Sequence, residues 1–160
     1  MKKLFLVAIA FIGFTTVNAQ DISENAIGLR LGDSDGFGVE ISYQRALSDN
    51  NRLEVDLGLR SGNDYNGFKL AGLYQWVWEL EGDFNWYAGA GGGLGSYSFD
   101  NVAPGFDDSE TFFFLAGVVG IEYNFDFPLQ LSLDARPELG FGDFRDDLDF
   151  DIALGVRYRF

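Results

Sequence analysis

The chain ends on DIALGVRYRF, residues 151–160, and this stretch decides the fold. Ile152, Leu154, Val156, Tyr158 and Phe160 are apolar. Asp151, Ala153, Gly155, Arg157 and Arg159 between them are charged or small. That alternation has the period of a β-strand with one apolar and one polar face, not the 3.6-residue period of a helix. The same period recurs upstream in residues 27–31, 37–44, 53–60, 68–76, 113–124 and 129–139. A glycine-rich stretch, 84–95, adds one more strand, with Trp86, Ala88 and Ala90 assigned to its apolar face. Turn-forming clusters such as Asp33-Ser34-Asp35-Gly36, Asp49-Asn50-Asn51 and Glu81-Gly82-Asp83 separate the segments. Eight strands joined by hairpins predict an all-β fold, an eight-stranded antiparallel up-and-down barrel.

The first residues have a different character. Lys2 and Lys3 precede an apolar run from Leu4 to Phe14, and Val17-Asn18-Ala19 fits a small-residue cleavage site. Residues 1–19 therefore read as a cleaved secretory signal, leaving 20–160 as one barrel domain. Removing Lys2 and Lys3 leaves nine basic residues against 25 acidic ones, a net charge of −16. Nucleic acid is excluded as a partner, because binding it needs basic neutralisation of phosphates. The chain has no Cys and no His, so disulfides, thiolate metal sites, a Cys nucleophile and a His base are all excluded. No catalytic, cofactor-binding or metal-ligating set emerges, and Asp33-Ser34-Asp35-Gly36 reads as a turn, lacking the length of a calcium loop.

Three features indicate that the apolar face points outward, into lipid. The strands are long enough to cross a bilayer when tilted. The polar-face positions carry Arg30, Arg60, Lys69, Arg136, Arg157 and Arg159 against Glu40, Glu54, Asp56, Glu122, Asp134, Glu138 and Asp151. Near-balance in so acidic a chain suits a closed interior, where charges need partners. The aromatics also fall into two bands. Trp76, Trp78 and Trp86 flank one turn and form a girdle with Tyr43, Tyr123, Phe125, Tyr158 and Phe160. Phe37, Tyr97, Phe112, Phe141 and Phe150 are assigned to the other end. Such girdles mark the interfaces of a transmembrane barrel.

The ending, with Tyr158 and Phe160 on the apolar phase, resembles the C-terminal strand signature of bacterial outer-membrane barrels. The chain as a whole resembles the small OmpA/OmpX-type barrels. Asn18-Ala19-Gln20, the run Ala88-Gly89-Ala90-Gly91-Gly92-Gly93 and Asp134-Ala135-Arg136-Pro137 are similar to the outer membrane protein beta-barrel domain (PorT-like) of Bacteroidota. The resemblance implies a location in the outer membrane. It also implies that the barrel assembly machinery reads Tyr158 and Phe160 as an assembly signal.

The expected site is a lumen charge network of Arg30, Glu40, Glu54, Asp56, Glu122, Asp134, Arg136, Glu138, Asp151, Arg157 and Arg159, filling the barrel as a salt-bridge ladder. The inward glycines Gly89, Gly91, Gly93 and Gly95 are expected to make room for large side chains opposite. Two acidic loops, Asp107, Asp108 and Glu110 with Asp143, Asp146, Asp147 and Asp149, are candidates for divalent-cation or extracellular-protein contact, rimmed by Phe106 and Phe144. The expected function is a non-enzymatic structural, surface-interaction or envelope-maintenance role, with the bilayer and lipopolysaccharide as surroundings. The alternatives are a small pore, a lipid-acting enzyme, or a soluble periplasmic barrel holding an apolar ligand.

Overall fold

The computed structural model describes residues 22–32, 38–61, 65–99, 109–141 and 148–160. The strands are β1 (Asn25–Leu31), β2 (Val39–Ser48), β3 (Asn51–Ser61), β4 (Tyr65–Glu81), β5 (Phe84–Phe99), β6 (Ser109–Asn124), β7 (Leu129–Phe141) and β8 (Leu148–Arg159). Each pairs antiparallel with its sequence neighbours, and β8 closes on β1. Residues 1–19, read above as a signal, and Asp33 to Phe37, read above as a turn and a girdle aromatic, lie outside the described residues. So do Phe106, Asp107, Asp108, Asp143, Phe144, Asp146 and Asp147.

The register fixes the stagger. Starting at Ala26, the paired residues run through Gln44, Glu54, Leu73, Gly91, Ala116 and Glu138 to Asp149. Ala26 itself is paired with Arg159, ten residues further along β8. A stagger of this kind tilts the strands, which a closed barrel requires. The short connections 49–50, 82–83 and 125–128 gather at one end, the turn end. There Asn25 N donates to Phe160 O at 3.0 Å and Phe160 N to Asn25 O at 2.9 Å. Gly82 holds φ at 58°, the left-handed conformation its two-residue hairpin needs. The opposite end is the loop end.

The wall is polarised in the opposite sense to a water-soluble protein. Ile152, Leu115 and Phe113 on the outside are 64%, 59% and 58% exposed, whereas Arg30 and Arg136 inside are 0% exposed. On β5, Trp86, Ala88 and Ala90 take the outer face and Tyr87 the inner one. The interior is not wholly polar. Ala71, Leu73, Val77, Tyr87, Phe112, Phe114, Ala116 and Val118 make an apolar cluster along β4–β6, with Ile22 and Tyr97 packed against it. Phe112 and Tyr97 thus depart from the expected loop-end girdle. Tyr97 stacks on Phe112 at 5.9 Å, and Phe112 meets Phe114 at 6.3 Å. Each ring turns inward beside a glycine on the paired strand: a Cβ on Gly95 would lie 2.3 Å from Phe112 Cζ, and one on Gly67 would lie 2.8 Å from Tyr97 Cδ1.

The β6–β7 ladder skips two pairs. Ala116↔Glu138 and Val119↔Ala135 are paired, but Gly117↔Pro137 and Val118↔Arg136 are absent. Loss of a single bond, from position 137 N–H to Gly117 C=O, produces this gap, since proline has no N–H. The β7–β8 side continues through Pro137↔Phe150 without a break. Pro137→Ala is expected to restore the bond. Amide hydrogen exchange should then show a protected N–H at 137, with a net gain of no more than about 1 kcal/mol because proline's unfolded-state advantage is lost.

Candidate functional site: the lumen charge network and aromatic belt

Alternation sends every second side chain of each strand inward, and the register brings distant charges together. Arg30 on β1 donates from Nε and Nη2 to Asp134 Oδ1 at 3.1 and 2.6 Å. Its Nη1 donates to Glu40 Oε2 at 3.0 Å and Asp151 Oδ2 at 2.5 Å. Glu40 also accepts from Arg136 Nη1 at 3.3 Å. Arg136 Nη2 reaches Glu54 Oε1 at 3.5 Å and bonds Asp56. Glu54 in turn accepts from Arg157 Nη2 at 3.0 Å and Gln44 Nε2 at 2.5 Å. Arg157 also donates to Ser42 and Ser132 Oγ at 3.0 and 2.8 Å. One chain of ion pairs therefore links Arg30, Glu40, Arg136, Glu54 and Arg157. Gly155 leaves the room it needs: a Cβ there would stand 2.4 Å from Arg157 Nη1.

Two further pairs stand beside the chain. Arg52 Nη1 lies 2.7 Å from Glu122 Oε2, and its guanidinium sits 4.7 Å from the centre of the Tyr87 ring. Lys69 Nζ donates to both Glu138 oxygens at 2.8 Å and lies 5.0 Å from the Phe114 ring. Tyr87 OH donates to Asp134 at 3.2 Å, joining the apolar cluster to the network. Arg52 and Tyr87 were not expected in the network. Arg52 sits near a turn, and Tyr87 falls in the glycine-rich strand where alternation is weak.

Arg159 corrects the expectation. It is half-buried at the turn end, not in the lumen network, and its Nη2 donates to the backbone carbonyls of Phe125 and Phe127. Its position is one step beyond Arg157, where the lumen opens and the β6–β7 turn presents carbonyls instead of carboxylates.

Outside, the turn end carries linked rings. Trp78 stacks on Trp86 at 4.3 Å, and Trp76 meets Tyr74 edge-on at 4.9 Å. Phe84, Tyr123, Phe125 and Phe127 follow in contact at 4.7–5.1 Å. Tyr158 and Phe160 stack at 6.3 Å, both pointing outward and 57% and 61% exposed. Among the described residues, no group of His, Cys, Asp and Glu is placed to hold a metal ion.

No protein-family model matches this sequence, and no curated protein matches it. Solved structures do. Neisserial surface protein A (NspA) is 17% identical with a TM-score of 0.58, over 85% of this chain and 94% of that one. The N-terminal β-barrel domain of Pseudomonas aeruginosa OprF is 16% identical with a TM-score of 0.62, over 89% and 100%. Ail of Yersinia pestis, the attachment invasion locus protein, solved with the heparin analogue sucrose octasulfate, is 17% identical with a TM-score of 0.55, over 86% and 97%. The fold is that of the small eight-stranded outer-membrane barrels. At these identities the likeness is one of fold.

Proposed function

We propose that this chain is an integral barrel of a bacterial outer membrane, exported with residues 1–19 removed, in a structural, surface-interaction or envelope-maintenance role without catalysis. The observation that carries this is the inverted wall: ion-paired Arg, Glu and Asp inside, Leu, Ile, Phe and Trp outside. In water such an outer face would drive aggregation, whereas in a bilayer it is the favourable arrangement. The ion-pair chain and the apolar cluster occupy the lumen, which weighs against a steady pore. A soluble barrel with an apolar ligand needs the opposite polarity. The narrower relation to PorT-like barrels of Bacteroidota rests on sequence motifs. Contact of the acidic loops with divalent cations or an extracellular protein belongs to the same reading.

Separated cell envelopes test it. The protein is expected in the outer-membrane fraction, migrating differently on a gel before and after boiling. Recovery in the soluble periplasmic fraction with no mobility shift would refute the reading. Within it, Tyr158 and Phe160 serve as the assembly signal, and their outward, exposed rings are available to be read. Phe160→Ala is expected to reduce the heat-shifted outer-membrane form several-fold while export continues. Unchanged membrane levels would remove that role.

A further inference from the structure

The lumen is sealed at the turn end, where a barrel has a mouth. Arg52, Asn85 and Glu122 stand within a few residues of the connections 49–50, 82–83 and 125–128. Yet the side chains of the Arg52–Glu122 pair are only 1% and 2% exposed. Arg52 Nε donates to Gln75 Oε1 at 2.6 Å, and Asn85 Nδ2 to Glu122 Oε1 at 3.1 Å. Val77, paired with Tyr87, is 0% exposed in the same region. The chain before β1 supplies the cover. Ile22 is half-buried and packs against the inner apolar cluster, which lies on β4–β6. Val77 and Tyr87 are the members of that cluster nearest the turn end. In the sheet β1 pairs with β2 and β8, so the contact made by Ile22 crosses the mouth. The chain bends at Glu24. The Glu24 carbonyl accepts from Ala46 N at 3.0 Å, and Asn25 exchanges backbone bonds with Phe160. The segment is therefore fixed to the wall at 24–25 and turns inward at 22–23.

We infer that residues 22–24 form a hinged strap, with Ile22 closing the turn-end mouth of the lumen and swinging out to admit water. The strap goes beyond the proposed role and requires only a closed barrel. Two opposed effects leave it poised. Ile22 gains by leaving water, but it is only half-buried and acts as a single side chain. Against it, Arg52 Nη2, Gln75 Nε2 and Gln130 Oε1 are buried in this layer without a hydrogen-bond partner. Each of them gains a partner when water enters. Opening breaks none of the strand ladders, so it occurs far more readily than unfolding of the wall. A hinge of this kind needs rotation at only one or two residues, here Glu24 and the residue before it. The ion-pair chain from Arg30 to Arg157 is carried by the strands, so opening wets the turn-end layer and leaves that chain in place.

The chain contains no Cys, so one introduced thiol reports alone. Val77→Cys sets a thiol beneath the strap, and Ala116→Cys sets one deeper in the same cluster. The exported protein, in detergent and checked for its heat-dependent mobility, is treated with iodoacetamide. Val77→Cys is expected to react slowly, and adding Ile22→Gly should speed it about tenfold or more, because modification tracks the open fraction. Ile22→Leu should keep the slow rate. Ala116→Cys should react at the same rate with and without Ile22→Gly. If Val77→Cys fails to fold, Ala26→Cys is the reporter, since Ala26 follows the hinge, faces inward and is 2% exposed. Equal rates at the reporter with and without Ile22→Gly would overturn the strap, as would a reporter already as reactive as free cysteine beneath Ile22. The same acceleration at Ala116→Cys would also overturn it, because the barrel would then have loosened as a whole.

Discussion

Arg136→Leu is expected to cost the barrel about 3–5 kcal/mol, because it strands buried carboxylates. Arg136 is 0% exposed and bonds Glu40, Glu54 and Asp56, which stand on β2 and β3 across the lumen. Glu40 keeps Arg30, and Glu54 keeps Arg157 and Gln44. Asp56 is left worst, since its Oδ1 already has no hydrogen-bond partner. Folded domains are stable by only about 5–15 kcal/mol, so the loss takes a large share of the total. Urea titration in detergent, read as the fraction of heat-shifted protein on a gel, measures it. Adding Asp56→Asn should recover much of the loss, because removing both sides of a buried pair is often near neutral. The exposed pair Arg45–Glu24, at 2.9 Å, is the control: Arg45→Ala should change stability by about 0.5 kcal/mol or less. Equal effects at Arg45 and Arg136 would mean that the lumen is open to water.

The second large effect is steric. Gly93→Ala is expected to destabilise the barrel by about 3 kcal/mol or more, at the upper end of overpacking costs. A Cβ at 93 would stand 2.1 Å from the Leu70 carbonyl oxygen and 2.5 Å from Phe114 Cζ. The ring can move, but the carbonyl belongs to the β4 ladder. Phe114→Ala should therefore rescue Gly93→Ala incompletely. Gly72 lies next to Ala71, the partner of Gly93, but faces outward with nothing within 4 Å of a Cβ. Gly72→Ala should be neutral within about 0.5 kcal/mol. The two substitutions use the same chemistry one residue apart in the ladder, so their difference measures which face is packed. The same urea titration reads both, and equal costs would contradict the inward placement of Gly93.

Much of the architecture was legible because one face of most strands is uniformly apolar. On β8, Ile152, Leu154, Val156 and Tyr158 alternate with Asp151, Ala153, Gly155 and Arg157, and alternation that regular fixes both the strand and its faces. The sheet order followed from short turns between consecutive strands. The inner apolar cluster was hidden, because Leu73, Val77, Phe114 and Val118 occupy the polar phase of β4 and β6. With apolar residues on both phases, periodicity carries no information about which ones pack. Phe112 and Tyr97 read as girdle members for the same reason, and turn inward beside Gly95 and Gly67, whose room only the folded register reveals. Partner choice was equally hidden: Arg136 meets Glu54 and Asp56 across the barrel, not on a neighbouring strand. Arg159 shares the phase of Arg157 but lies one step past the carboxylates, a boundary that depends on where the lumen ends.

The most direct test of the outward apolar wall uses the chain's three tryptophans, Trp76, Trp78 and Trp86, all on the outer face near the turn end. The intact protein is folded into vesicles of phospholipid brominated at different depths along the acyl chain. Bromine near the headgroup is expected to quench tryptophan fluorescence strongly and bromine near the chain end weakly, while acrylamide in the water quenches little. Fluorescence that ignores the brominated lipid and yields to acrylamide would put the tryptophans in water and contradict the account.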